Sequence, residues 1–165
     1  MVNVQQDTVT TRGKKRFDSS EQEVFLNLWR TYDRLRVLEE ELFGQHGLTA
    51  QQYNALRLLR AVHPEKLPTL GLASRLVSRA PDITRLVDGL HDRGLVVRER
   101  PADNRRIVML GITDAGIALL NDLAEKVQQC HTAQLGHLSA AEMKTLVGLL
   151  KKARQPHELP DSSWI

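Results

Sequence analysis

The sequence predicts a mainly α-helical chain that carries one small β-hairpin. Three observations predict it. Apolar residues recur at spacings of three and four through most of the chain, and several of these runs follow a residue able to cap a helix. Two helical runs are joined by nothing more than Ser78 to Ala80. Two short strand-like runs, Leu95–Arg100 and Arg105–Ile112, flank the turn formers Pro101, Asp103 and Asn104.

Residues 1–18 are polar and without periodicity, as in a flexible tail. A first helix is predicted from near Ser20 to about Gly44. Ser20 and Glu23 have capping-box spacing, and Phe25, Leu28, Trp29, Tyr32, Leu35 and Leu42 form its stripe. At 1.5 Å per residue it is roughly 35 Å long. That length in so small a chain predicts a second surface for the stripe, such as a partner subunit. A second helix starts at Thr49, boxed by Gln52, buries Tyr53, Leu56 and Leu59, and ends near His63-Pro64. A loop from Glu65 to Pro68 leads to a third helix, Leu70–Val77, capped by Thr69.

The fourth helix is expected to start near Pro81, since proline suits the first helical position, with Asp82 in its first turn. Ile83, Leu86, Val87 and Leu90 make one buried stripe, and Gly94 stops the helix. After the hairpin, Thr113 caps a fifth helix with a seam of Leu120, Leu123, Val127, Cys130 and Gln134. Ser139 and Glu142 open a sixth, with Met143, Leu146, Val147 and Leu150 as its buried face. Lys151, Lys152 and Arg154 suit its negative end, and Pro156 begins a tail over 156–165.

The chain has 165 residues and a formal charge of +3. The distribution of charge says more than the sum. Arg57 to Arg106 holds 11 basic and 6 acidic residues, whereas the segments before and after are each slightly acidic. A basic middle third fits a face turned toward phosphates. The single cysteine, Cys130, permits no internal disulfide and fits a reducing cytoplasm. It falls on the seam of the fifth helix, where a thiol is usually inert packing. No apolar run reaches the ~18–20 residues that cross a bilayer, and the basic N-terminal cluster lacks the apolar run of a signal peptide. No glycine-rich phosphate loop, nucleophile elbow or H-E-x-x-H is present, so no enzyme is expected. Cys130, His131, His137, His63 and His91 show no helical metal-ligand spacing, so neither metal nor cofactor is expected.

Helices three and four have the length and polarity of a helix-turn-helix. The second helix of such a pair enters the major groove of duplex DNA with its N-terminal residues nearest the bases. With the apolar stripe inward, Pro81 and Arg85 point outward, Thr84 and Asp82 flank them, and Arg79 precedes the helix. Arg98, Arg100, Arg105 and Arg106 cluster on the hairpin, with Asp103 between them and placed to pair with Arg105. A basic hairpin after a recognition helix is what a wing needs to reach a neighbouring minor groove or backbone. A solvated amphipathic helix would explain the helix alone. Asp88, Asp92 and Gly89 on its outer face would also suit a module that binds protein. The basic hairpin favours DNA.

At these residues a specific resemblance emerges. Asp82-Ile83-Thr84-Arg85-Leu86-Val87-Asp88, then Arg93-Gly94-Leu95-Val96-Val97-Arg98, Asp103-Asn104-Arg105-Arg106 and Ile112-Thr113-Asp114-Ala115-Gly116 resemble the MarR family in order and spacing, over about residues 20–153. The resemblance implies a winged helix-turn-helix homodimer. Residues 19–48 and 113–155 would dimerise, and a lobe over 49–112 on each subunit would bind a pseudo-palindromic operator. It implies a transcriptional regulator, more often a repressor. It further implies a small aromatic or phenolic effector between dimer region and lobe. Trp29, Tyr32, Arg36 and Tyr53 are the candidates to line that cleft, with core packing as the competing account of the same residues. Thr84 and Arg85 match recognition-helix positions, and Asp103 and Arg105 match the wing-tip pair. Gly89 and Gly111 depart from the pattern, the first replacing a common arginine and the second suggesting a bulge.

Overall fold

A computed structural model describes residues 16–78 and 82–158. Readings that fall on residues 1–15, 79–81 and 159–165 lie outside the described residues; Arg79, Pro81 and most of both tails are among them. The elements run α1 (Ser20–Gly44), α2 (Ala50–Val62), β1 (Leu67–Pro68), α3 (Thr69–Arg75), α4 (Ile83–Asp92), β2 (Val96–Glu99), β3 (Met109–Ile112), α5 (Asp114–Leu135) and α6 (Ala140–Arg154), followed by a short 3-10 turn, Gln155–His157. The chain divides into two compact units, Met1–Leu35 and Arg36–Ile165, with the division inside α1.

In the first unit α1 begins one residue earlier than the Ser20–Glu23 spacing suggests. The Ser19 hydroxyl accepts the Gln22 backbone N–H at 3.1 Å, and the Gln22 side-chain oxygen accepts the Asp18 N–H at 2.7 Å. This arrangement satisfies two backbone donors at the start of the helix. Residues 21–32 are all exposed, and the Phe25 and Trp29 rings lie 6.2 Å apart, tilted.

The second unit has an aliphatic core. Leu56 and Leu59 of α2, Leu72 of α3, Leu90 of α4, Leu110 of β3 and Leu123 of α5 are each 0% exposed. Thr49 and Gln52 form the expected box at the start of α2, and Ser139 and Glu142 do so at α6. Gly94, at φ 67°, lets the chain leave α4 in the left-handed conformation that an L side chain resists. Its N–H donates to the His91 carbonyl at 2.8 Å, and the Leu95 N–H donates to that of Leu90 at 3.0 Å. Thr113 joins the two ends of the hairpin. Its hydroxyl donates to the Gly94 carbonyl at 2.7 Å and accepts the Gly116 N–H at 3.1 Å, while its N–H reaches the Leu95 carbonyl.

The sheet has three strands in the order β1-β3-β2, all antiparallel. The segment expected to be a loop over 65–68 supplies β1, with Leu67 opposite Leu110 and Pro68 opposite Met109. Two residues carry no periodicity, so only the distant partner creates this strand. Proline is tolerated because the strand is an edge. The expected cap at Thr69 is also absent. Thr69 lies inside α3, and both its N–H and its hydroxyl donate to the Val108 carbonyl. Residues 105–108 stay out of the ladder because the chain turns twice. Asn104 N–H meets the Pro101 carbonyl and Ile107 N–H meets that of Asn104, both at 3.2 Å. The Asn104 side chain adds a bond from the Arg106 N–H.

The largest departure concerns α6. Its expected buried face is exposed: Met143 39%, Leu146 37%, Val147 51% and Leu150 36%.

Candidate nucleic-acid interface

Helix α4 starts at Ile83, not at Pro81. Asp82 is the capping residue, and its carboxylate accepts the Arg85 N–H at 2.9 Å. That carboxylate satisfies a helix donor, so Asp82 sets the helix start instead of offering a free acid. Leu86, Val87 and Leu90 are buried as one face. The opposite face leaves Thr84 and Arg85 exposed in the first turn. The Arg85 guanidinium has no ion-pair partner among the described residues. This is the donor arrangement that base edges and phosphates require.

The wing is tied to that helix. Arg98 of β2 forms an ion pair with Asp88 of α4. Lone acids on a recognition face would oppose DNA, but Asp88 is thereby neutralised from inside the chain. The same contact occupies Arg98, whose side chain is 29% exposed. A second tie runs from His91 Nδ1 to the Val96 carbonyl at 3.0 Å. Arg93 anchors the other end of the helix, donating to the carbonyls of Gly47 and His46. These pairings carry no local spacing signal, because each joins elements separated by a turn or by most of the lobe. Opposite charge ten residues apart was the one hint at Asp88 and Arg98.

At the wing tip the Arg100 guanidinium donates to the Arg105 carbonyl at 3.0 Å, drawing the two sides of the turn together. Among the described residues no ion pair joins Asp103 to Arg105, so the bond from Arg100 organises the tip where an Asp103 bridge was expected. Asp103, Arg105 and Arg106 are all exposed. Arg85, Arg105 and Arg106 thus present charge outward, whereas Arg98 is engaged internally and Arg100 is partly engaged.

An open cleft of about 640 Å³ lies between the first turn of α2 and the outer face of α4. Thr49, Gln52, Arg85, Asp88, Gly89 and Asp92 line it. A Cβ on Gly89 would come within 2.9 Å of Nε2 at the flexible end of Gln52, the side chain that boxes α2.

The four effector candidates divide between the units. Trp29 and Tyr32, 62% and 67% exposed, belong to the first. In the second, Arg36 bonds to Glu40 one turn on, and Tyr53 stacks on Phe43 with centroids 4.5 Å apart. Tyr53 is therefore engaged in packing. Burial, with the Glu39 carboxylate adding to it, pushes the Cys130 thiol up, which suppresses the reactive thiolate. No helix among the described residues is long and apolar enough to cross a membrane.

Comparison with known proteins places this geometry. A model described as the MarR family matches residues 46–107, the span from the turn before α2 to the wing tip, ending just before β3. The chain is 31% identical over 145 residues to an HTH-type transcriptional regulator, YkoM, of Bacillus subtilis (strain 168), covering 83% of this chain and 90% of that one. A crystal structure of a MarR transcription factor from Planctomyces limnophilus is 59% identical, with a TM-score of 0.67, covering 83% of this chain and 99% of that one. A mutant of MarR from Escherichia coli, solved in complex with operator DNA, is 25% identical at a TM-score of 0.71, covering 79% and 93% respectively.

Proposed function

This chain belongs to the MarR family of transcriptional regulators, and from that premise we propose that it is a repressor that binds a pseudo-palindromic operator as a homodimer. The observation that carries the reading is the outer face of α4 held to a basic wing. Thr84 and Arg85 stand exposed at the start of the helix, and the Asp88–Arg98 pair joins that helix to the strand that leads into the arginine-bearing wing tip. Arg85 and Thr84 read base edges in the major groove. Arg100, Arg105 and Arg106 hold the adjacent backbone or minor groove. Asp82 and Arg98 act by position, one starting the helix and the other orienting the wing. Arg100 also shapes the tip, through its bond to the Arg105 carbonyl, and Asp103 stands exposed beside it. The structure in complex with operator DNA supports this assignment by likeness.

Residues 49–112 form the DNA-binding lobe, and 19–48 with 113–155 form the dimer region. The exposed stripe of Met143, Leu146, Val147 and Leu150 supports the dimer, since an amphipathic face of that kind needs a partner. A small aromatic or phenolic effector releases the operator. Exposed rings at Trp29 and Tyr32 support a role in that contact. An effector shifts the protein only by binding one dimer geometry more tightly than another.

The test is a genomic DNA pull-down with the purified chain at two salt concentrations. The expected result is enrichment of a short inverted repeat that weakens as salt rises, because phosphate contacts release counterions. Absence of any enriched duplex at either concentration overturns the reading.

A further inference from the structure

We infer that Lys66 is a wing-positioning residue, strapped across the sheet to Glu99 through a trough that Gly111 leaves open. Leu67, the first residue of β1, pairs with Leu110, and Val97 pairs with Gly111, so Lys66, just before β1, lies beside Gly111 of β3, which lies beside Val97 of β2. A Cβ on residue 111 would lie 3.2 Å from Lys66 Cγ, 3.5 Å from Lys66 Cε and 3.3 Å from Val97 Cγ2. The lysine stem therefore passes directly over the glycine. Its ammonium forms an ion pair with Glu99 two residues along β2. The glycine that departs from the family pattern is accounted for by this passage. No extra residue interrupts the ladder there, so the bulge expected from the sequence is not formed.

The place of the strap gives it a role. Glu99 and Met109 form the last pair of the β2–β3 ladder before the wing tip. Met109 also pairs with Pro68, which leads straight into α3. The strap thus fixes the root of the tip to the strand that enters the helix-turn-helix. The Lys66 and Glu99 side chains are 35% and 56% exposed, and so exposed a pair adds little to global stability. Its effect falls on orientation, holding Arg100, Arg105 and Arg106 at one distance from α4. It also has a salt dependence of its own, since exposed pairs are screened.

This inference rests on the wing reading above for its consequence, but not for its detection. Amide exchange at Arg98, Glu99, Met109 and Leu110 in the free full-length chain tests it directly. Lys66→Met is expected to speed exchange there about two- to fivefold without moving the global melting temperature. Wild-type exchange should rise with salt, and the Lys66→Met variant should lose that rise. The swap Lys66→Glu with Glu99→Lys should restore protection. Gly111→Ala, which crowds the lysine stem, should act in the direction of Lys66→Met. Unchanged exchange in Lys66→Met, or failure of the swap to restore it, overturns the strap. Duplex binding is measured alongside, with Arg105→Ala as control. If Lys66→Met lowers the salt slope of binding by about one while exchange is unchanged, Lys66 holds phosphate directly and the strap is overturned. If Arg105→Ala binds as tightly as wild type, the wing reading fails while the exchange result still decides the strap.

Discussion

Helices α4 and α6 carry the same apolar pattern and meet opposite fates. Ile83, Leu86, Val87 and Leu90 have the same spacing as Met143, Leu146, Val147 and Leu150. In α4 the last three are 8%, 3% and 0% exposed; in α6 their counterparts are 37%, 51% and 36%. Periodicity states that a face needs cover. It does not state whether the cover lies in the same chain. The face of α4 is closed by α2, the sheet and the surrounding core, which frees its other side for a partner of different chemistry. The face of α6 is left open, and the proposed second copy of the chain is what closes it.

The contrast can be broken most forcefully at Leu90. Leu90→Ala empties a fully enclosed site and should cost about 2–5 kcal/mol in denaturant unfolding. A loss below 1 kcal/mol, on the order of an exposed substitution, would erase the distinction between the two helices. Val147→Lys tests the other face. The chain should stay folded while its dimer weakens by at least about 2 kcal/mol, a shift of more than tenfold in sedimentation equilibrium. Unaltered association would remove α6 from the interface. The outer side of α4 sharpens the contrast further. Arg85→Ala should lose about 1–3 kcal/mol of discrimination between operator and random duplex in competition binding. Equal losses on both duplexes would reduce Arg85 to a phosphate contact. The smallest effect is expected at the wing, where Arg105→Ala should weaken all duplexes alike and lower the salt slope by about one. A slope that does not move would take the wing out of binding.

Much of the fold was legible because its signals are local. The Thr49–Gln52 and Ser139–Glu142 boxes, the Thr113 cap and the Gly94 stop each concern residues within a turn of one another. The outward placement of Thr84 and Arg85 followed from the stripe on the same helix. At two helix starts the boundary lies one or two residues from the one expected. Ser19 with Gln22 prevailed over Ser20 with Glu23, and Asp82 over Pro81 as the boundary of α4. At each observed boundary a side chain satisfies an orphan N–H, Ser19 that of Gln22 and Asp82 that of Arg85.

What the sequence determined by itself is therefore the set of helices, the caps of α2, α5 and α6, the stripe on each helix and the basic character of the hairpin. Each depends on contacts between residues a few positions apart, which the order of residues states directly. The tertiary structure decided the rest. It made Leu67–Pro68 a strand by setting it beside Leu110 and Met109. It gave Asp88 a partner on the outer face of α4 by bringing Arg98 to it, and it turned Gly111 into a passage for Lys66. Those outcomes depend on which distant segments meet, and no spacing along the chain encodes that. They are fixed only when the core closes and brings the strands into register.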